Sequence, residues 1–161
     1  MPDFAIHPTR RFVVLGGIAT LGALASCRSV LPTAQGGGAS QAATRHVAAI
    51  RGGNSLSALA PDAKAEAAAL EQARFMVVGG RMDHTALAGR DFVSRMKRNR
   101  IPAPAAENLA HGRMDLDRLF AMWMNSEGHR RNMLDPRFSR FGLAYAEESG
   151  DSRYWALVLH A

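Results

Sequence analysis

The sequence predicts an α+β domain, helical through most of its length and closed by a β-hairpin. Three observations carry that expectation. Apolar residues recur at helical spacing in separate segments between Pro61 and Trp123. Near the C-terminus Phe141, Leu143 and Tyr145 alternate, and a second apolar run, Tyr154–Leu159, follows the polar loop 147–152. A chain of 161 residues with 47% hydrophobic content can bury one core and has room for one domain.

The N-terminal end is read first. Phe12 to Ser26 is an uncharged, glycine-rich apolar run behind Arg10-Arg11, of signal-peptide length and too short for a good spanning helix. Leu24-Ala25-Ser26-Cys27 has the form of a bacterial lipobox, and Cys27 is the single cysteine, which excludes an intramolecular disulfide. Residues 1–26 therefore read as a signal peptide of lipoprotein type, and Thr9–Val13 also resembles a twin-arginine signal. The competing reading is an ordinary signal peptide with Cys27 incidental. Residues 27–43 are expected to be a lipidated cysteine and a flexible linker, since Gly, Ser and Pro dominate and no apolar period survives. Arg28 after the cysteine leans toward the outer membrane in a host with two membranes. The folded domain is expected over 44–161.

Within it, Thr44–Arg51 predicts a short helix stopped by Gly52-Gly53. Pro61-Asp62 opens an alanine-rich helix to about Val78, with Ala69, Leu70, Ala73, Met76 and Val77 inward and Gly79-Gly80 ending it. Its small side chains suggest close packing against another layer. A third helix is expected over roughly 89–99, with Phe92, Val93 and Met96 inward. Pro102 and Pro104 then break the chain before a short extended piece at Ala106–Ala110. Asp115 is placed to cap a fourth helix, along which Leu116, Leu119, Phe120 and Trp123 recur at helical spacing. That helix should turn at Gly128, followed by the two hairpin strands.

The net charge is +6, almost all of it arginine. The arginines are scattered apart from the run Arg95–Arg100 and Arg130-Arg131, and there is neither a glycine-aromatic RNA signature nor a long basic helix. No nucleic-acid partner is expected.

Three titratable residues from separate segments break the apolar pattern: His84, Glu107 and His129. Singly, each has a structural explanation: a histidine bonding helix-terminal carbonyls, a solvated carboxylate, a turn residue. A zinc site wants three or four ligands, usually two of them close in sequence, and no His-x-x-x-His or cysteine pair exists here.

Trp123-Met-Asn-Ser-Glu-Gly-His129-Arg-Arg-Asn132-Met-Leu134, preceded by Asp83-His84-Thr85 and Glu107-Asn108 and followed by Tyr154-Trp155, resembles the CAP superfamily in its cysteine-free bacterial branch. These are the SCP-like domains of cysteine-rich secretory proteins, antigen 5 and plant pathogenesis-related class 1 proteins. The resemblance spans about residue 44 to 160 and implies an α-β-α sandwich around a cavity lined by two histidines and two glutamates. Carried over by motif, His84 matches the first histidine and Glu107 a glutamate. Ser126 stands where eukaryotic members place the second glutamate. Their His-Tyr-Thr-Gln strand reads Tyr154-Trp155-Ala156-Leu157 here, so the second histidine is also absent in place, and His129 is the substitute that the bacterial branch suggests.

Three functions follow as expectations. The leading one is an exported, membrane-anchored lipoprotein at the outer membrane or periplasmic face, with secretion as the alternative. It would bind a lipid or envelope component through a cavity of His84, Glu107, Ser126 and His129. The second is a hydrolase with His84 or His129 as general base and Glu107 orienting it. There Ser126 would be a nucleophile only if its side chain met His129. The third is a structural envelope protein whose polar cluster only stabilises the sandwich. No cofactor is required, though zinc or another divalent metal on His84, Glu107 and His129 could accompany either of the first two.

Overall fold

The computed structural model describes residues 34–84 and 91–161. The expected signal peptide, Cys27 and residues 28–33 of the expected linker lie outside the described residues, as do Thr85 and the start of the third predicted helix. In chain order the elements are β1 (Gly36–Gly38), α1 (Ser40–Gly52), β2 (Ala60–Pro61), α2 (Ala63–Gly79) and α3 (Phe92–Arg98). β3 (Ala105–Gly112), α4 (Leu116–Asn125), α5 (Glu127–Met133), β4 (Arg140–Glu147) and β5 (Arg153–His160) follow.

One sheet runs in the order β1-β4-β5-β3 with antiparallel neighbours, and the short β2 pairs parallel with the start of β4. Alternation along the strands divides the core in two. Phe141, Leu143, Trp155, Leu157 and Leu159 pack with Val47, Leu119, Phe120 and Trp123 of α1 and α4. Ala144, Tyr154, Ala156 and Val158 point to the other face and pack with Ala65, Ala68, Ala69 and Met76 of α2 and Met96 of α3. The result is a sheet between two helical layers, the sandwich that the resemblance implies.

The alanines of α2 act as expected. Ala65, Ala68 and Ala69 are fully buried, and a Cβ on Gly142 of β4 would overlap the α2 backbone at Ala65 and Glu66. Helix and sheet are thus in direct backbone contact at Gly142. Asp62 caps α2 by accepting from Ala65 N at 2.8 Å, and Asp115 caps α4 by accepting from Arg118 N at 2.8 Å.

Four expectations are corrected. The ordered fold begins before residue 44: Gly36–Gly38 is an edge strand on β4, and α1 starts at Ser40. Glycine content suggested a linker, yet a Cβ on Gly36 would strike the backbone of Tyr145 and Ala146, so glycine is what lets β1 lie there. Second, Gly128 is not a turn. The break between helices falls at Ser126, extended at φ −97° and ψ 124°, and Gly128 lies inside α5. Third, Val93 does not face inward: it is 59% exposed, while Arg95 and Met96 are the buried residues of α3. With only seven residues, α3 can bury a single narrow stripe. Fourth, β3 extends beyond the expected 106–110 piece at both ends, because it pairs with the whole of β5 from Ala105↔His160 to Gly112↔Arg153.

Arg51, at the end of α1, is almost fully buried and donates to four backbone carbonyls. They are Ser57 O at 2.7 Å, Met133 O and Asp135 O at 3.0 Å, and Phe138 O at 3.4 Å. It ties two loops to the helix end, and nothing in the local pattern marks it as different from the other arginines.

Candidate functional site

β3 is the end strand of the sheet, and among the described residues only β5 pairs with it. Its outward carbonyls need donors, because an unsatisfied backbone group in a buried setting is costly. The α4–α5 layer supplies them. Trp123 Nε1 donates to Leu109 O at 3.0 Å, and Asn132 Nδ2 lies 3.4 Å from Glu107 O. Asn132 also donates to Asn108 Oδ1 at 2.9 Å, and Asn108 Nδ2 donates to His129 O at 3.2 Å. The tryptophan and the two asparagines of the motifs thus clamp α4 and α5 over the edge of β3, and the break at Ser126 gives α5 the angle to reach it.

Side chains alternate along β3, so Asn108 faces the α4–α5 layer while Glu107 faces α2 and α3. The Glu107 carboxylate is 2% exposed and fully engaged. One oxygen takes an ion pair from the buried guanidinium of Arg95 on α3, and the other lies 3.0 Å from His84 Nδ1. His84 itself is 54% exposed at the side chain. A buried carboxylate is tenable only when paired, and here a buried arginine holds it from behind while an accessible histidine covers it in front. The hydrogen bond to Glu107 holds His84 above the ordinary imidazole value of 6.5, against an opposing effect of burial. Nδ1–H of His84 donates to Glu107, which leaves Nε2 for other partners.

His129 comes from the opposite layer. Its Nδ1 is buried and has no hydrogen-bond partner among the described residues. Its ring meets Trp123 edge-on with centroids 6.5 Å apart. Burial pushes its pKa below the ordinary value, and the charge on His84 lowers it further. At neutral pH the pair offers one imidazole biased toward the cation and one biased toward the neutral form.

The structure therefore links His84 to Glu107 and brings His129 to the same edge. Ser126 is half-buried at the α4–α5 joint and makes no side-chain capping bond. Among the described residues no three His, Cys, Asp or Glu side chains form a group able to hold a metal ion. The physical obstacle is plain: both oxygens of Glu107, the expected carboxylate ligand, are already committed to Arg95 and His84. Among the described residues, His84, Glu107 and His129 do not come together as a three-ligand set. Arg95, Asn108 and Asn132 are the site residues that sequence reasoning did not assign. Both asparagines sat inside the quoted motifs, and the signal that could have found them is their place beside an edge strand. Arg95 carried no such signal.

Residues 44–159 match the model of the cysteine-rich secretory protein family, CAP. A curated relative, the uncharacterized protein YkwD of Bacillus subtilis (strain 168), is 46% identical over 43 residues, covering 27% of this chain and 17% of that protein. An extracellular protein containing an SCP domain from Bacillus anthracis superposes with TM-score 0.66 at 23% identity, over 74% of this chain and 39% of that one. An outer surface protein from Borrelia burgdorferi superposes with TM-score 0.67 at 20% identity, over 78% of this chain and 97% of that one. This chain thus spans less than a fifth of the curated relative and under half of the B. anthracis protein. At these structural identities the likeness is one of fold.

Proposed function

Because the chain belongs to the cysteine-rich secretory protein family, we propose that it is an exported binding domain, anchored through an acylated Cys27. Its ligand is a lipid-like or other envelope component, held at the β3 edge between His84 and His129. The observation that carries this reading is the buried Arg95–Glu107 pair backing an accessible His84. A carboxylate fixed from behind orients the imidazole and favours its charged form, so that Nε2–H points a donor and a positive charge at whatever enters. The neutral His129 beside it, with a buried Nδ1 lacking a partner, adds a second group that a ligand could satisfy. Such a pair suits a headgroup carrying an anionic or strongly accepting oxygen.

Hydrolysis is less well supported, because no hydroxyl or thiol hydrogen-bonds either imidazole among the described residues. Elsewhere Ser152 Oγ lies 3.2 Å from His111, yet Glu148 takes the same Nε2 at 2.7 Å. A catalytic triad needs serine and acid on opposite ring nitrogens. One observation still favours the hydrolase as a second reading: the opposite pKa shifts of His84 and His129 are what an acid–base pair would use.

Native mass spectrometry of the exported chain, purified from membranes in mild detergent, tests the binding reading. A co-purifying envelope lipid should appear as a mass adduct and be lost in a His84→Ala, His129→Ala double variant. If the wild type carries no adduct and envelope lipid extracts leave its histidine NMR signals unmoved, the polar network is structural. Hydrolysis of an ester or amide probe that disappears with the same double variant would favour the second reading.

A further inference from the structure

The outer surface of α2 and α3 is both basic and apolar, and its exposed side chains are not those that pair with Glu107. Among the described residues four large apolar side chains stand exposed, and three of them fall in this region: Val78 at 67%, Met82 at 55% and Val93 at 59%. Beside Val93 runs an apolar groove of about 460 Å³, between α3 and the segment after it, lined by Phe92, Met96, Ile101, Pro102 and Pro104. Lys97 stands on its rim and Arg100 follows it; both are exposed, and neither pairs with a carboxylate among the described residues. Arg98 between them is held by Glu71 of α2. An exposed apolar strip edged by cations is the composition of a surface that lies on an anionic bilayer.

The path of the chain supplies the second argument. Arg74 of α2 donates from Nε to Ala34 O at 3.0 Å, so the first described residue sits against α2. Glu71, Arg74 and Val78 are spaced i, i+3 and i+7, which puts them on one face of that helix. The same face therefore receives the incoming chain through Arg74, holds the basic end of α3 through Glu71, and presents Val78. Six residues lie between Cys27 and Ala34, so the two positions can be at most about 25 Å apart. A domain tethered that closely, on that face, cannot turn the face far from the membrane.

We infer that the α2–α3 face docks on an anionic phospholipid bilayer, with Val93 and its groove entering the interface while Lys97 and Arg100 meet lipid phosphates. This rests on the anchored reading proposed above. Docking would fix the orientation of the domain on the membrane.

The test uses the full chain, expressed in a host that exports and lipidates it, and reconstituted into vesicles of phosphatidylcholine with or without phosphatidylglycerol. Val93→Trp adds an exposed reporter; the native Trp123 and Trp155 are buried and give the background. Brominated lipids should quench the added fluorescence in anionic vesicles. Lys97→Gln with Arg100→Gln should shift the docked equilibrium about 25-fold toward release, roughly fivefold per basic residue, and so return quenching to the level of neutral vesicles. High salt should act likewise. A chain that co-sediments with vesicles while its Val93→Trp reporter stays unquenched overturns docking and leaves anchoring intact. A chain that does not co-sediment overturns both. Lipid-independent dimerisation abolished by Val93→Asp would assign the face to a second copy and overturn the proposal.

Discussion

Replacing Arg95 with methionine tests the central feature of the site, a buried carboxylate held by a buried guanidinium. Glu107 is 2% exposed at its side chain and Arg95 0%. Removing one partner of such a pair leaves an uncompensated buried charge, which costs about 3–5 kcal/mol. His84 still covers the second oxygen at 3.0 Å, which favours the lower end, about 3 kcal/mol. With a urea m-value of about 2 kcal/mol/M, the midpoint of unfolding should fall by about 1.5 M. The measurement is urea denaturation followed by far-ultraviolet circular dichroism and tryptophan fluorescence, with coincident transitions required. The companion double variant, Arg95→Met with Glu107→Gln, removes the buried charge and should recover at least about 1 kcal/mol of the loss. Glu107→Gln alone should lower the His84 pKa, because the carboxylate charge that raises it vanishes while burial and Arg95 continue to lower it and only Asp83 still raises it. A cost under about 1 kcal/mol for Arg95→Met, or a double variant no more stable than the single, would refute the picture of a buried pair sustaining His84.

Three further outcomes are expected. In the intact protein, NMR titration of the histidine Cε1–H signals should place His84 above 6.5 and His129 below it. By linkage, the stabilisation from His84 is complete below pH 6.5 and fades as pH rises through its folded value, whereas acidification below 6.5 destabilises the fold through His129. A reversed order of the two pKa values would remove the proposed division between charged and neutral imidazole. Arg51→Met abandons four carbonyl bonds and should cost about 3–5 kcal/mol in a urea melt, allowing for non-additivity. Gly142→Ala forces a methyl group into the α2 backbone and should cost about 1–3 kcal/mol; a neutral effect would mean that α2 can lift off the sheet without loss.

Periodicity made most of the architecture legible. The apolar stripes of α2 and α4, the aspartate that caps α4 and the alternation in β4 are properties of short segments, and burial respects them: Trp123, Leu119, Phe141 and Leu143 are all fully buried. Composition misled where one residue type serves two ends. The glycines of β1 read as linker, although at Gly36 close approach to Tyr145 and Ala146 is what requires one. Gly128 read as a turn, while the extended Ser126 makes the break. The short α3 offered too few residues for periodicity to say which side Val93 would take.

The sequence by itself determined the α+β class, the α4 cap and the motifs that mark the family, because each depends on neighbours within a few turns of chain. Only the tertiary structure decided that His84 bonds Glu107 on one side of β3 while Asn108, on the other, donates to the carbonyl of His129. It alone distinguished Arg95 and Arg51, buried and engaged, from Lys97 and Arg100, exposed and without a carboxylate partner among the described residues. A charged side chain looks the same in sequence whether it will face water or the inside. The difference is set by which surface folds over it, and that surface comes from residues distant in the chain.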